Sequence, residues 1–320
     1  MLVLKKAFIT PDFDEKLSTV HTRSGFYANA LQSKVIRDKQ HQDILEWICP
    51  KGGTSIPPKR RDEVVNTHQP FVNSEEYLNW VGNGSPTLIC TGHRTFFFET
   101  SLILMKLAWE NHTLCLSLFL QPFLTSISSM IFNRLRENPK LGISYFFFNH
   151  SNREETAENV IRVLLRQSVA QLRRIPEDVS TGYFRFINDP HRMMPSRNTF
   201  ANLLKTSLKE FSSSPSFILL DAYDEFRNSS DEEGQRTELC SSLCAIYRSG
   251  STRILITTRP QCRQELKDTY SESQIAVVKG DSADIEKYLD DRIQPLKRLN
   301  DELKANIKKT ILDANREEGW

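Results

Sequence analysis

Glycine is scarce in this chain, with 12 among 320 residues, about 4% where roughly 7% is ordinary. None of the twelve is followed by lysine, so the glycine-rich loop ending in Gly-Lys-Thr or Gly-Lys-Ser that cradles phosphates is missing. Charge of one sign is missing too. The 42 basic and 40 acidic side chains leave a net charge of +2, too weak a field to make nucleic acid or an anionic membrane the main partner. The six cysteines, at positions 49, 90, 115, 240, 244 and 262, form no C-x-x-C pair, which excludes a disulfide framework and an ordinary zinc site. Cys240 and Cys244 lie one helical turn apart, but no histidine or second cysteine pair stands nearby at ligand spacing. Only four apolar residues precede Lys5 and Lys6, too few for a signal-peptide core, so a reducing, cytoplasmic location is expected.

What is present is an ordinary globular composition, 39% apolar and 26% charged, enough for one large domain or two modest ones. Residues 1–84 are polar and mixed. A helical patch at His41–Cys49 carries Ile44, Leu45 and Ile48 on one face. A second short helix is predicted at Ser74–Trp80, where Ser74 can cap the first turn and Glu75 and Glu76 suit the helix dipole. This segment is expected to be a helical lead-in.

From 85 to 320 the pattern changes to short apolar runs separated by longer periodic segments. Thr87–Thr91, Ile143–Phe148, Phe217–Leu220, Arg253–Thr257 and Ile275–Val278 read as five buried strands. Helical stripes fill 156–172, 199–211, 235–248, 282–293 and 301–314. Such alternation predicts an α/β fold, a parallel five-stranded sheet with helices on both faces. One stretch breaks the rhythm. Thr113–Phe132 is a run of twenty residues without a charge, long enough for a membrane span. Gln121, Pro122 and several hydroxyl side chains inside it, and α/β patterning on both flanks, favour a core helix instead.

Two segments carry chemistry. Ser216–Glu225 is an apolar strand that delivers Asp221, Asp224 and Glu225 just beyond its C-terminal end, the edge at which open α/β sheets bind ligands. A carboxylate there suits Mg²⁺, and further acids can orient water. Thr252–Pro260 is a second buried strand ending in Thr257, Thr258 and Arg259 at the same edge, where arginine can meet a phosphate. A plain acidic turn and a surface ion pair are the alternatives.

Asp221-Ala-Tyr-Asp-Glu225 followed by Thr257-Thr-Arg-Pro260 resembles the Walker B and sensor 1 segments of NACHT-type STAND P-loop NTPases, in particular the fungal subgroup with a nephrocystin-like N-terminal domain. His41–Trp47, Asn66–Phe71 with Ser74–Glu76, Thr156–Asn159 and Asp284–Tyr288 are similar to further family segments in the same order. The resemblance implies a P-loop NTPase-like core at 85–320 and a signalling switch of the fungal self/non-self recognition type. It implies ATP or GTP with Mg²⁺ as cofactor, and other protein domains or self-association as partners. Asp221 would be the Mg²⁺ ligand, Asp224 and Glu225 the water-orienting acids, and Thr258 and Arg259 the nucleotide contacts, Arg259 as sensor of the γ-phosphate.

The departure from the family is Walker A. The first strand ends at Cys90-Thr-Gly92 and runs into His93-Arg-Thr-Phe-Phe-Phe98. In one register Gly92–Thr95 stands in for the loop, which leaves far too long a crossover to the strand at 143. In the other, a helix begins at Phe123, and Leu120, Gln121 and Pro122 fall where Gly, Lys and Thr belong. Residues 93–121 thus read as an aberrant apolar segment replacing the phosphate loop, either intron sequence read as coding or the mark of a pseudo-NTPase. Charge-assisted hydrogen bonds contribute about 1.5–3 kcal/mol each, so loss of the lysine and several amides lowers nucleotide affinity on the order of a thousandfold. A nucleotide-independent interaction scaffold is the alternative function, and a single-span membrane protein a more remote one.

Overall fold

The computed structural model describes residues 38–50, 69–82, 84–92, 123–149, 155–211, 214–226, 233–248, 252–278 and 300–317, together with Glu286, Asp290 and Gln294. Its centre is a five-stranded, wholly parallel sheet built from β1 (Thr87–Thr91), β2 (Gly142–Phe147), β3 (Ser216–Asp221), β4 (Thr252–Thr258) and β5 (Ser273–Val277), in the order β2-β3-β4-β1-β5. All five predicted strands are present, within two residues at either end. β5 differs from the expectation of burial on both faces, because it is an edge strand and Val277 is half exposed.

Strand order fixes which face each helix covers. The chain leaves β1 in one direction, towards β2, and then returns stepwise through β3 and β4 and across β1 to β5. Right-handed crossovers therefore send the helix after β1 to one face and all later ones to the other. The first face holds α4 (Phe123–Arg136) and, from before the sheet, α2 (Gln69–Val72) and α3 (Glu75–Val81). There Ile127, Met130, Ile131 and Leu135 of α4 pack on Leu88, Cys90, Phe217, Leu219 and Leu255. The opposite face holds helix α1 (38–48), α5 (Ala157–Gln171), α6 (Glu177–Asn188), α7 (Arg197–Lys209), α8 (Glu233–Tyr247) and α9 (Arg263–Thr269). They cover Ile89, Ile218, Leu220, Ile254 and Ile256. The alternation along β1, β3 and β4 is the period-2 geometry of a strand buried on both sides. A last helix, α10 (Asp301–Glu317), buries Ile307.

The apolar run Thr113–Phe132 ends inside α4, whose buried residues fall at helical spacing on one side. Among the described residues no helix is long and apolar enough to cross a membrane. The segment 93–121 lies outside the described residues, as does most of the predicted helix at 282–293.

The helices that precede the sheet are tied into it. Arg162 and Arg166 of α5 donate to carbonyls at the end of α1, at Leu45, Trp47, Ile48 and the following Cys49, where cationic groups suit the negative end of a helix. On the other face Ser74 caps α3 by accepting from the Tyr77 N–H. The Trp80 indole then donates to the Ile254 carbonyl at 3.1 Å, and Arg253 donates back to the Trp80 carbonyl. At the sheet's other side, Gln167 and Gln171 of α5 reach the outer backbone of β2. Tyr145 N–H donates to Gln167 at 2.7 Å, and Ile143 exchanges bonds with Gln171 through both its N–H and its carbonyl, at 3.0 and 2.7 Å.

Candidate functional site

The crevice between β1 and β4 is the topological switch point, because the connections leaving these neighbours lie on opposite faces. Ligands of open α/β sheets bind at such a point, beyond the carboxyl ends of the strands. Register brings Thr91 opposite Thr258, and sets Asp221 one residue beyond the Leu220–Ile256 pair. The residues singled out from sequence therefore share one edge.

Asp221 is 2% exposed. Its Oδ1 accepts hydrogen bonds from Ser128 Oγ at 2.5 Å and Thr257 Oγ1 at 2.6 Å. Thr257 Oγ1 in turn accepts from the Ala222 N–H at 3.0 Å. Three elements, α4, β3 and β4, thus converge on one carboxylate. Thr257 stood at the expected strand end with no role assigned to it, and Ser128 was not among the residues chosen from sequence. Thr257 carried a readable signal, its place beside Thr258 at a strand end. Ser128 had none, being one of several hydroxyl residues in an apolar run.

Beyond Asp221 the chain bends sharply. Ala222 has φ 56° and ψ 46°, the left-handed conformation, and leads into a 3₁₀ turn at Tyr223–Glu225. That bend swings the acids back over β4. The Asp224 side chain, 4% exposed, receives the Arg259 backbone N–H at 3.1 Å and pairs with Arg259 Nε at 3.0 Å, while Glu225 lies 3.8 Å from Arg259 Nη2. A left-handed residue with a Cβ costs about 1–2 kcal/mol, partly offset by the greater freedom glycine has when unfolded, about 0.5–1 kcal/mol. Ala222→Gly is accordingly expected to raise stability by up to about 1 kcal/mol in urea unfolding. A lowered midpoint would contradict the strain assignment.

The acidic turn is held from behind by Arg236 of α8. Its Nη2 donates to the carbonyls of Asp224 and Phe226 at 3.0 and 2.6 Å, and its Nε donates to the Phe226 carbonyl at 2.9 Å. The same guanidinium lies 5.3 Å from the centre of the Tyr223 ring and 3.7 Å from Glu265. The Tyr223 hydroxyl donates to Glu265 and meets Cys240, both at 3.1 Å. Burial pushes the Cys240 thiol up to about 11. Cys49, Cys90, Cys240, Cys244 and Cys262 are all buried free thiols, and Cys115 lies outside the described residues.

Thr258 is wholly buried at the end of β4. Asp221 with two hydroxyls is a set of hard oxygen donors, of the type Mg²⁺ takes when phosphate oxygens complete its shell. Among the described residues no group of three or more histidine, cysteine or acidic side chains could hold a metal unaided. The phosphate side is not matched: no Gly-Lys pair exists in the chain, and Arg259 is engaged by two carboxylates. The described residues fit the metal half of a nucleotide site and not its phosphate half.

Residues 125–259 match the family model described as Nephrocystin 3, N-terminal. No curated protein matches. Among solved structures the chain is similar to the Aeropyrum pernix ORC2 protein, solved as ADPNP-ADP complexes, at 14% identity and a TM-score of 0.35; the match covers 78% of this chain and 55% of that one. The family match runs from the first turn of α4 to the arginine at the end of β4, and so takes in Ser128, Asp221, Asp224, Glu225 and Thr257 as well as Arg259. Residues 125–259 are therefore similar to the nephrocystin 3 N-terminal family, and they lie within a five-stranded parallel α/β sheet that extends beyond the match on both sides.

Proposed function

We propose that this chain is a NACHT-like nucleotide-dependent signalling switch, of the kind associated with fungal self/non-self recognition, whose nucleotide binding is impaired in this sequence. The observation that carries the proposal is the convergence of Ser128, Asp221 and Thr257 at the switch point, with Asp224, Glu225 and Arg259 beside them. In this role Asp221 is the Mg²⁺ ligand, Asp224 and Glu225 are the acids nearest an attacking water, and Thr258 and Arg259 face the nucleotide. The impairment follows from the missing Gly-Lys pair. ATP and GTP remain equal candidates, since base recognition comes from loops with no readable code.

A second reading, a scaffold that works without nucleotide through contacts with other protein domains or a second copy, is favoured by one surface. Phe184 and Ile187 of α6 and the following Met193 and Met194 are all exposed, Met193 by 71%, and solvent-facing methionine beside aromatic residues suits protein contact.

Equilibrium binding of labelled ATP and GTP analogues with Mg²⁺ tests the first reading, with Asp221→Ala as control. The expected result is no saturable binding below millimolar nucleotide. Micromolar binding that Asp221→Ala abolishes would overturn the claim of impairment and leave an active switch.

A further inference from the structure

Among the described residues of the edge Arg259 is the side chain suited to a terminal phosphate, and it is already occupied. Its Nε sits 3.0 Å from Asp224 Oδ2, its Nη2 lies 3.8 Å from Glu225, and its backbone N–H is taken by Asp224 Oδ1 at 3.1 Å. A carboxylate pair and a phosphate both present anionic oxygens that a planar guanidinium fork can bind, so the two compete for one donor set. The acids are not loosely placed competitors. Arg236 fixes the backbone of their turn by three hydrogen bonds to the Asp224 and Phe226 carbonyls, and Glu265, which pairs with Arg236, accepts from Tyr223 at the start of the same turn.

We infer that Asp224 and Glu225 act as a built-in anion on Arg259, a latch that masks a polyphosphate-binding position at the carboxyl end of β4. Among the described residues Asp221 adds a third carboxylate beside Arg259, which repels an incoming polyanion while the other two occupy its receptor. The inference rests on the proposed reading of this edge as phosphate-facing, and it names what regulates that edge. Binding of phosphate requires the acids to release the arginine. The latch therefore acts independently of the missing glycine loop: it sets whether Arg259 is available, and the loop sets how well the rest of a phosphate chain is held.

The test uses the full chain and inorganic tripolyphosphate, followed by titration calorimetry at low and high salt, with circular dichroism to verify folding. Asp224→Asn combined with Glu225→Gln keeps the shape of both side chains and removes their charge. It is expected to bind tripolyphosphate at least tenfold more tightly than the unaltered chain. The gain should shrink as salt rises and vanish when Arg259→Ala is added. Should the double variant fail to fold, Glu225→Gln alone, at a side chain 21% exposed, is expected to give a gain of a few-fold with the same dependence on Arg259. A folded variant that binds no more tightly than the unaltered chain, or a gain that survives Arg259→Ala, overturns the latch. Because tripolyphosphate carries no base or sugar, a failed latch and a failed nucleotide switch give different results: nucleotide binding restored by a repaired loop with the latch variants inert removes only the latch.

Discussion

Trp80→Ala is expected to lower stability by about 3–5 kcal/mol, the range for removing a large aromatic from a core, measured by urea unfolding at 25 °C. Trp80 is fully buried and meets Phe217 edge-to-face at a centroid distance of 5.3 Å. Its indole N–H satisfies the Ile254 carbonyl, and its own carbonyl receives Arg253. Truncation therefore leaves a cavity on one face of the sheet and removes a donor from the Ile254 carbonyl of β4, two costs that act in the same direction. Domains of this kind have about 5–15 kcal/mol in total, so the variant should sit near the folding threshold. Leu78, two residues earlier and 55% exposed, is the control: Leu78→Ala should change stability by no more than about 0.5 kcal/mol. A Trp80→Ala loss below about 1 kcal/mol would mean that α3 is not part of the cooperative core.

The second large effect is a gain. Ser128 reaches Asp221 from the second turn of α4, and position 125 stands one turn earlier on that helix, nearer the carboxyl edge of the sheet. The family match also begins at 125. Placing the lost loop three residues later than the register expected from sequence puts Phe123, Leu124 and Thr125 where Gly, Lys and Thr belong, in place of Leu120, Gln121 and Pro122. A hydroxyl residue then already occupies the third place of the motif in sequence. The triple variant Leu118→Gly/Phe123→Gly/Leu124→Lys rebuilds the spacing of a phosphate loop. At about 1.5–3 kcal/mol for each charge-assisted hydrogen bond regained, it is expected to strengthen Mg²⁺-nucleotide binding on the order of a thousandfold, read by equilibrium binding of a fluorescent analogue. The gain should be lost again on adding Asp221→Ala. A folded triple variant with unchanged affinity would remove the nucleotide switch from consideration and leave the scaffold.

The sheet was legible in the sequence because a strand buried on both sides must be apolar at every position, and few other structures ask that of so short a run. Phe217-Ile-Leu-Leu220 sends alternate residues to two cores, and the pattern has no cheaper explanation. The helices at 157–171, 197–209 and 233–247 were legible for a related reason, their 3.6-residue stripes. α6 carries a stripe too, with Val179, Tyr183 and Phe186 at helical spacing on its inner side, but it was not singled out from sequence, and Phe184 and Ile187 add apolar residues that face solvent. At the site, charges were visible and hydroxyls were not. An acid at a strand end announces itself, whereas Ser128 acquires meaning only when the crossover from β1 brings α4 beneath β3. The pairing of Arg259 with Asp224 and Glu225 was open to sequence only as a general alternative, because it depends on the left-handed turn at Ala222.

The glutamines along β2 bear on how copies of this chain could associate. An edge strand offers a row of unmet backbone groups on which another strand can template itself, the usual route to fibrous growth. Here the amide heads of Gln167 and Gln171 imitate that missing neighbour, donating and accepting where a strand would. They are neutral, so salt or pH will not unmask the edge. Side-by-side pairing along Ile143–Tyr145 of β2 is thereby blocked, and assembly on that stretch has to be made by side-chain surfaces, where partner and stoichiometry can be specified.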